Sequence, residues 1–365
     1  MAKHTIGVIG AGAWGTAVAK IIAEKEYEVE IWSFEADVAD TINKDHENKK
    51  YLPNVELPDN IKANTEIREV AAGKDYLLFV PPSLFILNTL KQILDVEDVK
   101  NGETPIGVLT KGFIEGKTGP KLIVETMENY LPGFYKNNLV YISGPSHAEE
   151  VARGKLTGLI SASSNGRNSI LFRELLKTSS VMVFASIDII GVQTCAAMKN
   201  VIAIAFGILD ALKEISEGFG DNTESLLLAA GLNEIMRLGT ALGATHPETF
   251  TSIAGVGDLD VTCRSIHGRN RRFGRDIVHK KVIQKYTDLN EVIANINEIG
   301  YLPEGSVACK YAIQLAEKHN LRLPITEAVF KILNREKEPL ETVQYLMTHL
   351  NRDSVRGIVE QQRLH

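Results

Sequence analysis

Two spacings of apolar residues divide the chain. As far as about residue 187, short apolar runs alternate with amphipathic stretches. Thr5–Ile9, Val29–Trp32, Leu77–Val80, Ile106–Thr110, Leu139–Ser143 and Leu159–Ala162 read as buried strands, each bounded by Gly, Pro, Asn or Ser. Trp14–Glu24 has apolar residues at helical spacing, and helical stretches separate several of the other runs. This β-α-β rhythm predicts an α/β fold with a mostly parallel, doubly wound sheet. Right-handed crossovers put the loops that follow the strands on one edge, where ligands bind.

From Asp188 onward the period becomes helical. Ile189–Glu217, Asn222–Leu242, Arg269–Lys285, Glu304–His319, Thr326–Asn334 and Leu340–Leu350 read as helices, and no convincing strand interrupts them. The pattern predicts a sheet domain over 1–187 and an all-helical domain over 188–365. The first of these helices is apolar on all sides, which predicts burial at its domain's centre. Neither an internal repeat nor a low-complexity linker is visible.

Composition narrows the function classes. A chain of 365 residues exceeds what one core usually fills. Its 40 Lys+Arg against 46 Asp+Glu argue against a nucleic-acid partner, which needs a basic surface. Cys195, Cys263 and Cys309 are widely spaced and fit no metal-ligand pattern, so no metal site is expected. Buried, reduced thiols in a cytoplasmic protein are the expectation. No targeting segment is expected, because Lys3–His4 run straight into a strand pattern. The richest apolar run, Val201–Leu212, is short and contains Asp210, so no membrane span is expected. The tail Arg363-Leu364-His365 is not a peroxisomal signal.

The first chemical signal is Gly10-Ala11-Gly12-Ala13-Trp14-Gly15, placed after a strand and opening a helix. Gly10 allows a tight turn, Gly12 lets the backbone approach a pyrophosphate, and Gly15 lets helix and strand pack closely. The helix N-terminus then offers N–H groups to the phosphates. The next strand ends in Ile31-Trp32-Ser33, followed by Phe34 and Glu35. Glu35 can accept from ribose hydroxyls and repel a 2′-phosphate, and no Arg or Lys is expected beside it. NAD is therefore favoured, with NADP as the second option. Phe34, and Phe85 after Pro81-Pro82-Ser83, offer aromatic faces to the cofactor.

Other candidates follow strands or lie in the helical half. Lys111, in Thr110-Lys111-Gly112, can point into the crevice. Ser146 stands in Ser143-Gly144-Pro145-Ser146-His147-Ala148-Glu149, and its capping-box spacing to Glu149 predicts that it starts a helix. Lys199 and Asn200 interrupt the most apolar helix. A lysine there is unfavourable unless paired or facing a polar cavity, and burial favours its neutral form, which suits a proton donor and acceptor. A snorkelling lysine is the plainer alternative. Gly257-Asp258-Leu259, Thr262 and Gly268-Arg269-Asn270-Arg271 complete the set; Arg269 and Asn270 at a helix start form a natural phosphate clamp.

Taken in order, these motifs resemble those of NAD(P)-dependent glycerol-3-phosphate dehydrogenases. To them are added His46-Glu47-Asn48 with Tyr51-Leu52-Pro53, Gly218-Phe219-Gly220-Asp221-Asn222, and Leu302-Pro303-Glu304-Gly305. The resemblance spans nearly the whole chain. It implies a Rossmann-type domain followed by a helical domain like that of 6-phosphogluconate dehydrogenase. It also implies reversible reduction of dihydroxyacetone phosphate to sn-glycerol 3-phosphate by NADH or NADPH, for phospholipid synthesis, by a cytoplasmic homodimer.

Site roles carried over by the resemblance fall in three groups. Lys199 would be the acid/base at the substrate C2 oxygen, with Lys111 stabilising charge there. Gly144, Ser146, Asn200, Asp258, Thr262, Gly268, Arg269 and Asn270, together with Lys111, would shape the substrate pocket. Gly10, Gly12, Ala13, Trp14, Gly15, Phe34, Phe85, Lys111, Ala148, Arg269, Leu302 and Glu304 would lie along the cofactor. The sequence mixes branches: many bacterial members have a basic residue where Phe34 stands, and often Ser where Gly268 stands. A related dehydrogenase of another phosphorylated or hydroxyacid substrate, or a non-catalytic NAD-binding sensor, are the alternatives.

Overall fold

In the computed structural model, residues 4–348 are described, apart from 117, 266, 267 and 302. The chain divides into two compact units. The first comprises Met1–Ala196 and Leu242–Asp258, and the second comprises Ala197–Ala241 and the chain from Leu259 onward.

The first unit is built on an eight-stranded sheet. Its strands are β1 (Thr5–Ile9), β2 (Glu28–Trp32), β3 (Ile61–Asn64), β4 (Tyr76–Phe79), β5 (Ile106–Val108), β8 (Val140–Ser143), β9 (Thr157–Ala162) and β10 (Val181–Ser186), in the order β10-β9-β8-β5-β4-β1-β2-β3. β6 (Phe113–Gly116) and β7 (Gly119–Leu122) form a separate antiparallel hairpin. All pairings in the large sheet are parallel except β8 with β9. The strand order turns back at β1, between β4 and β2, which is where open α/β sheets bind their ligands.

Period-two alternation loads both faces of the sheet. Ile6, Val8, Val29, Ile31 and Leu78 face one core, with the helix Ala13–Ala23. Ile9, Leu77, Phe79, Ile106 and Val108 face the other, with Ile189, Val192 and Ala196. Parallel strands covered on both faces read as continuous apolar runs, which is why β1 and β4 stand out in the sequence. The six expected strands form, each within two residues of its expected bounds.

β3, β10 and the β6–β7 hairpin were not expected. β10 is an edge strand whose Met182 and Phe184 are about half exposed, so its apolar residues do not sort into a buried and a polar face. β3 has only four residues, Ile-Lys-Ala-Asn.

The second unit is helical, and among the described residues after Asp188 there is no strand. Its helices include Asp221–Leu242, Arg269–His279, Glu304–Lys318 and Pro324–Leu333, and 339–348 is helical as well. The end expected at Leu350 lies outside the described residues. The helix expected to reach Lys285 stops at His279, six residues early.

The central helix Ile189–Lys213 is longer than the apolar run read as its richest part. It has the length and composition of a membrane span. Every residue from 191 to 212 is buried within the protein, so the helix serves as core. Its apolar surround is made possible by glycine. A Cβ on Gly207 would lie 1.9 Å from the Arg271 carbonyl oxygen, and one on Gly274 would lie 2.2 Å from that of Ile204. The central helix and Arg269–His279 therefore cross backbone against backbone.

Candidate functional site

The glycine loop leaves β1 through Gly10, whose φ of +122° is hard for any other residue. A Cβ on Gly15 would lie 1.9 Å from the Gly10 carbonyl oxygen, so this glycine sets the helix directly on the turn. Gly12 is different: nothing lies within 4 Å of where its Cβ would be. It caps the helix Ala13–Ala23 with extended backbone and no side-chain cap. The indole Nε1 of Trp14 is buried without a hydrogen-bond partner. An open approach at Gly12 and an uncapped helix start fit a dinucleotide pyrophosphate.

Asn48 fixes this loop from outside it. Its buried carboxamide donates to the Ala11 carbonyl and to Thr16 Oγ1, both at 2.8 Å, and its Oδ1 accepts from the Tyr51 backbone N–H at 3.0 Å. The motif containing Asn48 was visible in the sequence, but its role was not, because it is contributed from 37 residues beyond Ala11.

The same segment corrects one expectation. Lys50 does stand beside Glu35. Lys50 Nζ is 2.6 Å from Glu35 Oε1, and the Tyr51 hydroxyl donates to Glu35 Oε2 at 2.7 Å. Partial burial works against the Glu35 carboxylate, but these two hydrogen bonds outweigh it and hold its pKa below the usual range. Fifteen residues separate the pair, too far for a local pattern to reveal. Phe34 is 85% exposed and Phe85 53% exposed, each on a loop that follows a strand.

Lys111 follows β5. Its Nζ is 3.3 Å from Asp258 Oδ2 and 3.5 Å from the Gly144 carbonyl. Ser143 Oγ donates to the same Asp258 oxygen at 3.3 Å. The Asp258 side chain is 1% exposed, so a buried carboxylate, brought in at the end of the π-helical turn Ile253–Gly257, orients the ammonium. Ser143 was not among the candidates.

The capping box at Ser146 does not form. The Ser146 hydroxyl donates to the Gly144 carbonyl at 3.0 Å, and His147 caps the four-residue helix Ala148–Val151 with no side-chain bond. A bond to its own turn takes the hydroxyl that a cap would need. An open groove of about 520 Å³ lined by Lys20, Glu56, Pro58, Asp59 and Arg153 contains none of the candidate residues.

In the second unit, Lys199 and Asn200 are each 5% exposed. Asn270 Nδ2 donates to Asn200 Oδ1 at 3.0 Å, and Asn270 Oδ1 accepts from the Gly305 N–H at 2.9 Å. Gly305 admits this contact because a Cβ there would lie 2.5 Å from the Asn200 carbonyl. Asn270 thus joins three helices and sets the start of the one that begins at Glu304. Arg271 pairs with the buried Asp210 and donates to the Arg264 carbonyl, which anchors the turn before Gly268. Arg269 is exposed at the helix start, after a Gly268 cap with no side-chain bond. Thr262 is buried on the helix Asp258–Arg264. Leu302 lies outside the described residues.

Chemically, the first unit offers a glycine turn with an uncapped helix start, a carboxylate just past β2 and an oriented ammonium. The second offers a buried lysine beside paired carboxamides, and an exposed guanidinium at a helix start. Among the described residues no group of His, Cys, Asp or Glu could hold a metal ion.

Residues 5–169 match the family model for the NAD-dependent glycerol-3-phosphate dehydrogenase N-terminus, and residues 188–344 match that for its C-terminus. A glycerol-3-phosphate dehydrogenase (NAD(P)+) of Treponema denticola is 55% identical over 348 residues, covering 94% of this chain and 98% of that protein. One from Treponema pallidum is 50% identical over 342 residues, covering 91% and 96%. The crystal structure of glycerol-3-phosphate dehydrogenase from Coxiella burnetii is similar with a TM-score of 0.82 at 34% identity, covering 94% of this chain and 99% of that one.

Proposed function

The chain belongs to the NAD-dependent glycerol-3-phosphate dehydrogenase family, and from that premise we infer how its residues divide the work. The enzyme reduces dihydroxyacetone phosphate to sn-glycerol 3-phosphate, reversibly, with NADH or NADPH. The observation that carries our assignment is Lys199, 5% exposed in a helix otherwise built as core. A lysine buried at that depth is placed to deliver a proton out of contact with bulk water.

The reduced nicotinamide, when bound, supplies the hydride. Lys199 Nζ donates a proton to the C2 oxygen of the substrate as negative charge develops there. Lys111, oriented by Asp258 and Ser143, stabilises that oxygen electrostatically. Arg269 and the start of its helix bind the phosphate, with Gly268 contributing backbone only. Asn270 acts through Asn200 and Gly305, so it is a positioning residue more than a phosphate ligand. Gly10, Gly12, Ala13, Trp14 and Gly15 hold the pyrophosphate, Phe34 and Phe85 cover the rings, and Ala148 and Glu304 line the cofactor. Gly144, Ser146 and Thr262 line the substrate. Phosphate binding remote from the reacting carbon anchors the substrate equally before and during reaction.

Absorbance at 340 nm, followed with NADH and dihydroxyacetone phosphate, tests the function directly. The expected result is a decay that requires both ligands. A protein that binds NADH but oxidises it with no phosphorylated ketone would instead be a sensor. We also propose a cytoplasmic homodimer supplying glycerol 3-phosphate for phospholipid synthesis. Cys195, Cys263 and Cys309 are all buried, as expected of thiols kept reduced, which supports a reducing compartment. Light scattering at a mass near twice 40.2 kDa is expected of the dimer.

A further inference from the structure

One charge pair beside the glycine loop takes no part in the proposed chemistry. Glu35 lies three residues past β2, where dinucleotide folds read the 2′ position of the adenosine ribose. Both of its carboxylate oxygens are occupied, one by Lys50 and one by Tyr51. A carboxylate at that place accepts from a 2′-hydroxyl and repels a 2′-phosphate, and an ammonium does the reverse. This chain brings both charges to one point.

How Lys50 arrives there is equally specific. Asn48 is fully buried and pinned to the glycine loop, and its Oδ1 holds the Tyr51 N–H. The backbone on both sides of Lys50 is thus tied to the pyrophosphate turn. The Lys50 side chain is 47% exposed, with Nζ 5.6 Å from the centre of the Tyr51 ring. A tethered backbone with a solvated, four-carbon side chain lets the ammonium change partner without moving the loop.

We propose that Lys50 is a cofactor-discriminating residue, neutralising Glu35 when the ribose carries a 2′-hydroxyl and turning to the 2′-phosphate when NADPH binds. Because the pair presents either sign, one site takes both cofactors. The proposal rests on the dinucleotide reading of the glycine loop. It assigns to residue 50 the cation that the position of Phe34 lacks.

Direct binding without substrate tests it. Kd values for NADH and NADPH are measured by fluorescence titration on the native protein, Lys50→Met and Glu35→Gln. Competition by 2′,5′-ADP and by 5′-AMP is read alongside. Lys50→Met is expected to raise the NADPH-to-NADH Kd ratio by about tenfold or more, and Glu35→Gln to lower it by about tenfold. The advantage of 2′,5′-ADP over 5′-AMP should shrink in Lys50→Met. A ratio within about twofold of native in Lys50→Met, or a native protein that binds NADH but not NADPH, overturns the proposal. Failure of the native protein to bind either dinucleotide would instead overturn the reading of the glycine loop itself.

Discussion

Lys111 and Lys199 stand in opposite kinds of scaffold. Lys111 lies on a loop past a three-residue strand, its side chain 17% exposed, and is held by a carboxylate 147 residues away in sequence. Lys199 lies within a 25-residue helix, 5% exposed, and the adjacent Asn200 is bonded to Asn270. The sheet half displays chemistry on an edge that the strands leave open. The helical half must open its core to admit polar groups, as it does for Asn200, bonded to Asn270, and for Asn270, bonded in turn to the Gly305 N–H. A loop site tolerates change in its surroundings; a helix-crossing site depends on contacts such as Gly207 on Arg271 and Gly274 on Ile204.

The widest test of this contrast is to remove the two ammonium groups separately. Lys199→Ala is expected to lower kcat by about a thousandfold, as for loss of a general acid, while NADH still binds. Near-normal turnover in that variant would return Lys199 to the core as a structural residue.

Glu234 sharpens the comparison in terms of stability. This fully buried carboxyl accepts from the Ile325 and Thr326 N–H groups and the Thr326 hydroxyl, capping the helix Pro324–Leu333 from the helix Asp221–Leu242. Burial raises its pKa from 4.5 to about 7, against the pull of those donors. The native state therefore binds this proton more tightly than the unfolded chain does. Its contribution favours folding at low pH and is lost as pH rises from about 4.5 to about 7, by on the order of 3 kcal/mol. Urea unfolding at pH 5 and pH 8, compared between native and Glu234→Gln, should show that extra pH dependence only in the native protein. Equal pH dependence in the two proteins would remove the buried proton from the account.

Asp258→Asn addresses the sheet half. It keeps the shape but removes the charge that orients Lys111, leaving the ammonium with the Gly144 carbonyl. A fall in kcat/KM of about thirtyfold is expected, smaller than for Lys199→Ala because Lys111 remains. A fall as large as that of Lys199→Ala would place Asp258 in the proton path.

These contrasts explain what could be read in the chain. The glycine turn was legible because steric demands at Gly10 and Gly15 are local, and the strands beside it because burial on both faces leaves continuous apolar runs. Lys199 was legible as a polar residue in an apolar helix. Lys50 beside Glu35, Ser143 beside Asp258, and Asn48 beneath the glycine turn were not, since each acts across a fold-made contact with no local signature. Ser146 misled for the opposite reason: the capping-box spacing is local, and the bond to Gly144 won over it.

The smallest expected effect separates neighbours on one helix. Arg269 and Asn270 looked like a single clamp in sequence, yet one is exposed and the other is spent inside the domain. If Arg269 meets the phosphate, Arg269→Ala should raise KM for dihydroxyacetone phosphate by about tenfold with kcat within about threefold, because the lost interaction is made equally before and during reaction. Asn270→Ala should act on kcat instead, because it releases Asn200 and the Gly305 N–H that it holds together. Added inorganic phosphate should compete with substrate in the native enzyme and compete less well in Arg269→Ala. An unchanged KM in Arg269→Ala would move phosphate recognition off this helix start, and the helical half would then contribute its lysine without the anchor that presents the ketone to it.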